Sequence, residues 1–501
     1  MRLRAHTRMG YCVGFFLLVA AGATAAEDVR LPEAAKQRDV TAVRTLLRQQ
    51  VNVNAPMPDG ATAIHWAAQW DDLETADLLL IAHADVNVAD VYGVTPLSLA
   101  CTNGSAAMVG RLLRAGANPN AALPSGETPL MTAARTGKVE AVRALLERGA
   151  QIQATEAGRG QTAIMWAAAE GNTEVVKLLI EKGADVKARS RSGFSPILFA
   201  AQRGDLPTTQ ALLVAGATVN DAATNGMTPL VLAIATDHIE YARFLLGKGA
   251  DPNLGPGYTA LHLTAAEEGP VDGAEGEEGG GGGGGSLWGP AKQDFIKLLL
   301  AKGADVNARA TRAPKGQGTV GATPFFLAAW AADPVTMRLL MANGADPNIA
   351  TPQGTTPLMV AAGVLRSAGG PNVAEGRALE AVKICVEAGN DVNAANTSHG
   401  DTALHGAAYR GMHGGALIAQ YLLDKGAKVN VVNKREWTPY MLAEGLYFST
   451  YNTMNLVTAD VLKKAGAAPW PKGFLNNTGI RSSEVWYEPG REPATLGSEG
   501  R

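Results

Sequence analysis

An all-α solenoid of about 12 stacked helix–turn–helix units is the fold that this 501-residue sequence predicts. Three observations carry that reading. A short threonine-led core recurs at a near-constant interval along the chain. A leucine-rich segment follows each core by about 18 residues, and a glycine closes that segment in most copies. Repetition at such a period means that each unit buries its apolar face only against its neighbours.

The cores, in order, are TAIHWAA at Thr62, TPLSLAC at Thr95, TPLMTAA at Thr128 and TAIMWAA at Thr162. SPILFAA at Ser195, TPLVLAI at Thr228, TALHLTA at Thr259 and TPFFLAA at Thr323 follow. TPLMVAA at Thr356, TALHGAA at Thr402 and TPYMLAE at Thr438 complete the set. The first intervals are 33, 33, 34, 33 and 33 residues.

Each copy has a local physical logic. Thr or Ser before Pro reads as an N-cap followed by proline at the first helical position, where a missing N–H costs nothing. The alanines that follow keep the first helix slim, so neighbouring helices can approach. The second helix places apolar residues at helical spacing, as in Val175, Val176, Leu178 and Leu179. It ends at Gly149, Gly183, Gly216, Gly249, Gly303, Gly344 or Gly426, each suited to a left-handed C′ position. His83 takes that place in one copy, and histidine tolerates positive φ better than most residues.

With eleven internal copies, the pattern resembles the ankyrin repeat, whose 33-residue unit begins T-P-L-H-x-A. The resemblance covers roughly residues 31–470. It implies a solenoid with projecting β-hairpin turns, stabilised by contacts between adjacent repeats. A unit at residues 31–61 has the helix pair without the T-P-L start, and reads as an N-terminal capping repeat.

Interruptions fall in the C-terminal half. Thr259 to Thr323 spans 64 residues, and the run Gly279–Gly285 within it cannot belong to a packed element. From Thr62 to Asn87 is 25 residues, whereas Thr259 to Asn307 is 48, which places 23 extra residues between the two helices of one repeat. The expected Gly/Glu-rich insertion is 268–291, with an extended hairpin turn at 309–321 and an inter-helix insertion at 365–378. Smaller excesses follow Thr402 and Thr438. Residues 471–501 read as an irregular tail.

At the N-terminus, Arg2, Arg4 and Arg8 precede the apolar run GYCVGFFLLVAAG and the small residues ATAA. That is the pattern of a Sec signal peptide over residues 1–25, so a bacterial protein exported to the periplasm or beyond is expected. Removing the leader takes 44 basic residues to 41 against 47 acidic ones, moving the net charge from −3 to −6. An acidic chain without a basic cluster argues against nucleic acid and anionic membranes as partners. No membrane span is expected after cleavage, and the chain is expected to be a monomer.

The sequence offers no catalytic constellation. G-x-S-x-G, H-E-x-x-H and the P-loop are missing, and the polyglycine run lacks the Lys and Ser/Thr of a phosphate cradle. Cys101 and Cys385 lack metal-ligand spacing and read as buried, unpaired small residues. His399, His405 and His413 form the one local density that could hold a metal, but neither a metal nor a cofactor is expected. The resemblance gives His65, His262 and His405 a structural hydrogen-bonding role between adjacent turns.

Recognition remains. The resemblance places ligands on the hairpin tips and the exposed face of the first helices. The matching positions are Trp66, Trp70, Trp166, Arg203, Trp330, Tyr409 and Arg410 on first helices, with Asp59, Tyr92, Phe194, Tyr258 and Trp437 in turns. Tryptophan, tyrosine and arginine dominate interface energetics. The expectation is therefore a non-catalytic scaffold that binds a protein partner through the concave face. An envelope module binding glycan or peptide on the same aromatic strip stays open, as does an enzyme with its site in the decorated C-terminal repeats.

Overall fold

The computed structural model describes residues 28–266, 290–314, 319–365, 373–410, 414–445 and 455–470. These residues form 24 helices in twelve consecutive pairs, with no β-strand among them. The chain divides into two compact bodies, Met1–Gly158 and Arg159–Arg501. Four helix pairs lie in the first, from Arg30–Lys36 to Val139–Glu147, and eight in the second, from Ala163–Glu170 to Leu456–Lys464.

Helices of five to thirteen residues are too short to persist alone in water. Two devices stabilise them. Threonine caps carry the starts: the Thr95, Thr228 and Thr323 side chains accept from the N–H three residues on, at 3.2, 3.3 and 3.2 Å. Each such cap contributes on the order of 1 kcal/mol. Packing supplies the rest, since within each body first helices lie against first helices and second against second. The facing alanines, among them Ala67, Ala68, Ala133, Ala134, Ala200 and Ala201, are fully buried. One repeat is slimmer still: a Cβ on Gly406 would lie 2.8 Å from the backbone nitrogen of Val364 in the preceding repeat.

Second helices end as the sequence suggests. Gly149, Gly183, Gly216 and Gly249 have φ of +83°, +89°, +94° and +88°, and His83 follows them at +62°. A Cβ at those four glycines would meet nothing within 4 Å, so the cost at His83 is conformational and not steric. His83→Gly is therefore expected to raise the unfolding free energy by about 1 kcal/mol. The urea midpoint measures this, and a decrease would mean the imidazole contributes packing.

The Gly/Glu-rich stretch interrupts one repeat. Helix Ala260–Ala265, before it, packs against helix Pro290–Ala301, after it, as the paired helices of other repeats do. Residues 267–289 lie outside the described residues, as do residues 1–27, where the leader is expected, and 471–501, where the irregular tail is expected. Of the inter-helix insertion expected at 365–378, residues 366–372 lie outside the described residues, and the following helix begins at Glu375. In that helix buried Ala378 extends the stripe of Ala381, Val382 and Cys385 by one turn.

Turns connect the repeats without forming strands. Adjacent tips share single main-chain bonds, Val91 N–H to Asp59 O at 2.9 Å in the first body and Arg191 N–H to Arg159 O at 2.8 Å in the second. In the long turn expected at 309–321, Ala310 N–H donates to Ala322 O at 2.9 Å; residues 315–318 are not described.

Candidate binding surface

Two polar ladders fix the turn face before any ligand arrives. In the first, an asparagine after most second helices spans to the next repeat, with Gln153 and Lys187 taking the place in two. Asn87 accepts from Asn118 N–H at 2.7 Å and donates to Gly116 O at 3.0 Å. Asn253 does the same across the interrupted repeat, to Asp305 N–H and Gly303 O, both at 2.8 Å. Asn307, Asn393 and Asn430 repeat the pattern. These bonds are solvent-exposed, and each contributes on the order of 1 kcal/mol or less.

The second ladder is the histidine bridge implied by the family pattern. His65 Nδ1 accepts from Thr62 N–H at 3.1 Å while Nε2 donates to Val94 O, also at 3.1 Å. His262 bridges Thr259 N–H and Ala322 O, at 3.1 Å each, and His405 bridges Thr402 N–H and Trp437 O at 3.2 and 3.1 Å. Accepting at Nδ1 fixes the neutral tautomer that carries its proton on Nε2. Burial accordingly pushes all three imidazoles below their ordinary value.

His405 is thus committed to the fold, and His413 lies outside the described residues. Among the described residues no group of three or more His, Cys, Asp or Glu is placed to hold a metal ion. Cys101 and Cys385 are buried free thiols, and burial pushes both thiols up, away from reactivity.

The twelve candidate residues fall into two groups. On the first body, Trp70 is 44% exposed and Tyr92 68% exposed, and Asp59 stands exposed at a turn tip. Trp66 is half-buried, stacked on Trp70 with ring centroids 6.4 Å apart and planes 23° apart. Its other neighbour is Lys36, whose Nζ sits 5.0 Å from the ring centroid. Lys36 was not legible from the repeat pattern, because the capping repeat lacks the core that would align it with the other copies.

On the second body, Arg203 is exposed, while Trp166, Phe194, Tyr258 and Tyr409 are half-buried. Phe194 lies 5.6 Å from Phe199. Trp330, Arg410 and Trp437 are buried, at 8%, 4% and 3% exposure, and this corrects their expected place on an open surface. Arg410 runs beneath the Gly363–Gly406 approach and donates to Val373 O at 2.7 Å. Trp437 is covered by the Arg435 guanidinium, 5.0 Å from its ring. Trp330 closes helix Pro324–Trp330 inside the core of this body.

Among the described residues no helix is long and apolar enough to cross a membrane. The family described as ankyrin repeats (3 copies) matches residues 31–122, 97–190, 165–256 and 197–275. The single ankyrin repeat matches residues 320–352 and 399–434. Among solved structures, the crystal structure of the human ASB11 ankyrin repeat domain is similar at 31% identity, covering 43% of this chain and 96% of that one, with a TM-score of 0.39. No curated protein matches.

Proposed function

Starting from the fact that this chain belongs to the ankyrin-repeat family, whose repeats are generally protein-interaction scaffolds, we propose that it is an exported, non-catalytic scaffold. It recognises a protein partner through the face built from its first helices and turn tips. The observation that carries this reading is the exposure of Trp70 and Tyr92, large aromatics held on elements already fixed by the two ladders. Aromatic anchors on a rigid surface lose little entropy on binding, so their burial counts almost fully toward affinity. Export rests on Arg2, Arg4 and Arg8 ahead of the apolar run, and on the small residues that follow it.

A glycan reading draws on one specific observation, the Trp66–Trp70 stack with Lys36 beside it, since a sugar ring can lie on an exposed indole. One experiment separates the two. Immobilised full-length chain is expected to retain a discrete protein from a periplasmic extract. Trp70→Ala with Tyr92→Ala should weaken that capture by roughly 30-fold or more, as two hot-spot aromatics would. Undiminished capture by the double variant sinks the proposed face. Release of the bound material by soluble envelope glycan would transfer the claim to the second reading.

A further inference from the structure

We propose that a groove on the second body, bounded by Ala169, Phe199, Gln202, Arg203 and His238, receives an acidic side chain of the protein partner. The partner would present an aspartate or glutamate next to an apolar residue. This deepens the scaffold reading and rests on it.

Three consecutive repeats build the groove. Ala169 comes from helix Ala163–Glu170, Phe199, Gln202 and Arg203 from helix Pro196–Arg203, and His238 occupies the N-cap position of helix Ile239–Gly247. Its volume is about 330 Å³, at the lower end of the range for ligand sites, which suits one or two side chains and not a cofactor. Two left-handed glycines set its walls. A Cβ on Gly204 would lie 2.6 Å from the His238 ring, and one on Gly171 would lie 2.7 Å from Arg203 Nε. Any larger residue at either place would displace the group that faces the groove.

The chemistry of the lining is cationic and uncommitted. Several arginines here are paired, Arg44 with Glu74 at 2.5 Å, Arg111 with Asp77 at 2.7 Å and Arg338 with Glu380 at 2.6 Å, whereas Arg203 is not. Among the described residues, the side chains of Gln202, Arg203 and His238 make no hydrogen bond or ion pair. His238 stands at an N-cap where other repeats carry Asp72, Ser105, Asp205 or Asp333, yet its ring caps nothing. The acids beside the lining are Asp237, next to His238 in the chain, and Asp205, whose Oδ2 lies 3.0 Å from the point where a Cβ on Gly171 would also meet Arg203. Asp205 is occupied by its own cap, accepting from Thr208 N–H at 3.2 Å and Thr208 Oγ1 at 2.6 Å.

A carboxylate entering here would meet a guanidinium fork, an amide and an imidazole, while Phe199 offers an apolar floor. A single arginine in an acidic chain lacks the row of charges that a nucleic-acid backbone requires. A second cavity, among the second helices at Arg338, Glu380 and Lys383, is already satisfied: Arg338 pairs with Glu380, and Lys383 lies 5.8 Å from the Tyr421 ring.

The test pans a phage-displayed library of random dodecapeptides on the full chain and on Arg203→Gln. Selected peptides are then synthesised and titrated by fluorescence anisotropy. Peptides won by the parent chain should be enriched in Asp or Glu beside an apolar residue. Changing that acid to its amide, or Arg203 to Gln, should each weaken binding by roughly 10-fold. The two changes together should weaken it little further, and His238→Ala should give a smaller loss. Neither side chain has a hydrogen-bond or ion-pair partner among the described residues, so both variants should melt with the parent. The proposal is overturned if no peptide is selected, if selected peptides lack acid, or if Arg203→Gln leaves their affinity unchanged. Arg203-dependent binding of a single-stranded oligonucleotide in place of acidic peptides would overturn it equally. In each case the Trp70 and Tyr92 capture experiment still decides the scaffold reading by itself.

Discussion

Replacing Lys292 by methionine should lower the unfolding free energy by about 3–5 kcal/mol at pH 7, the usual cost of stripping one partner from a buried ion pair. The Lys292 and Asp333 side chains are only 2% and 8% exposed, and Nζ lies 2.9 Å from the carboxylate. Asp333 also caps helix Pro334–Ala342 through Thr336, accepting from its N–H at 3.1 Å and its Oγ1 at 2.6 Å. The pair ties the first helix after the Gly/Glu-rich stretch to the next repeat, so its loss unpins an interrupted unit. Burial pushes the Asp333 carboxyl up, but the Lys292 charge and the Thr336 bonds together hold it below its ordinary value of 3.8. In the parent it therefore contributes stability above that value, lost as pH falls through the lower folded one. In Lys292→Met burial prevails, the carboxyl rises, and the variant loses stability as pH climbs. The difference between parent and variant should thus shrink from pH 7 to pH 4.5 in urea titrations. A deficit below 1 kcal/mol at pH 7, or one that does not change with pH, would show that the pair is not buried.

The three histidine bridges should make the parent chain sensitive to mild acid. Each imidazole is held neutral in the folded state, below the ordinary value of 6.5 that it regains on unfolding. Their contribution is complete above pH 6.5 and is lost as pH falls from there through the folded values, because the unfolded chain binds protons first. The loss is at most about 1.4 kcal/mol per pH unit for each histidine. Unfolding free energy should therefore drop between pH 7 and pH 5.5. The triple variant His65→Gln, His262→Gln and His405→Gln should start lower at pH 7 and lose much less over the same interval. Parallel profiles for the two chains would refute the bridge.

What could be read from the sequence was what depends on neighbours along the chain. Thr–Pro before an alanine-rich run is a cap and a helix start wherever it occurs, and a glycine after a leucine stripe is a left-handed stop. His83 could be assigned to that stop because its place in the period allowed nothing else. The bridging role of His65, His262 and His405 was legible only through the resemblance of their T-A-x-H positions to the family pattern.

Side-chain exposure was not, because it depends on what the next repeat places above each position. Trp330, Arg410 and Trp437 occupy periodic positions equivalent to open ones, yet they are buried. At Arg410 the cause is visible: Gly363 and Gly406 let two first helices close together, and the guanidinium is covered. Glu375 shows the same limit. Its carboxylate accepts from Gly415 N–H at 2.7 Å and Leu417 N–H at 2.8 Å, some forty residues away, and no local pattern announces that cap. His238 carried a local signal that could have been used, a ring at an N-cap where most repeats have an oxygen. It pointed to the groove beside Arg203 that the aromatic pattern alone passed over.

The central claim is that recognition occurs on the face of first helices and turn tips. Hydrogen–deuterium exchange on the full chain, with and without the partner captured from extract, tests it directly. Protection on binding should fall on turns and first helices, including residues 57–70 and 90–95. Protection confined to the second helices, where Ile81 and Val214 stand 77% and 85% exposed, would contradict it.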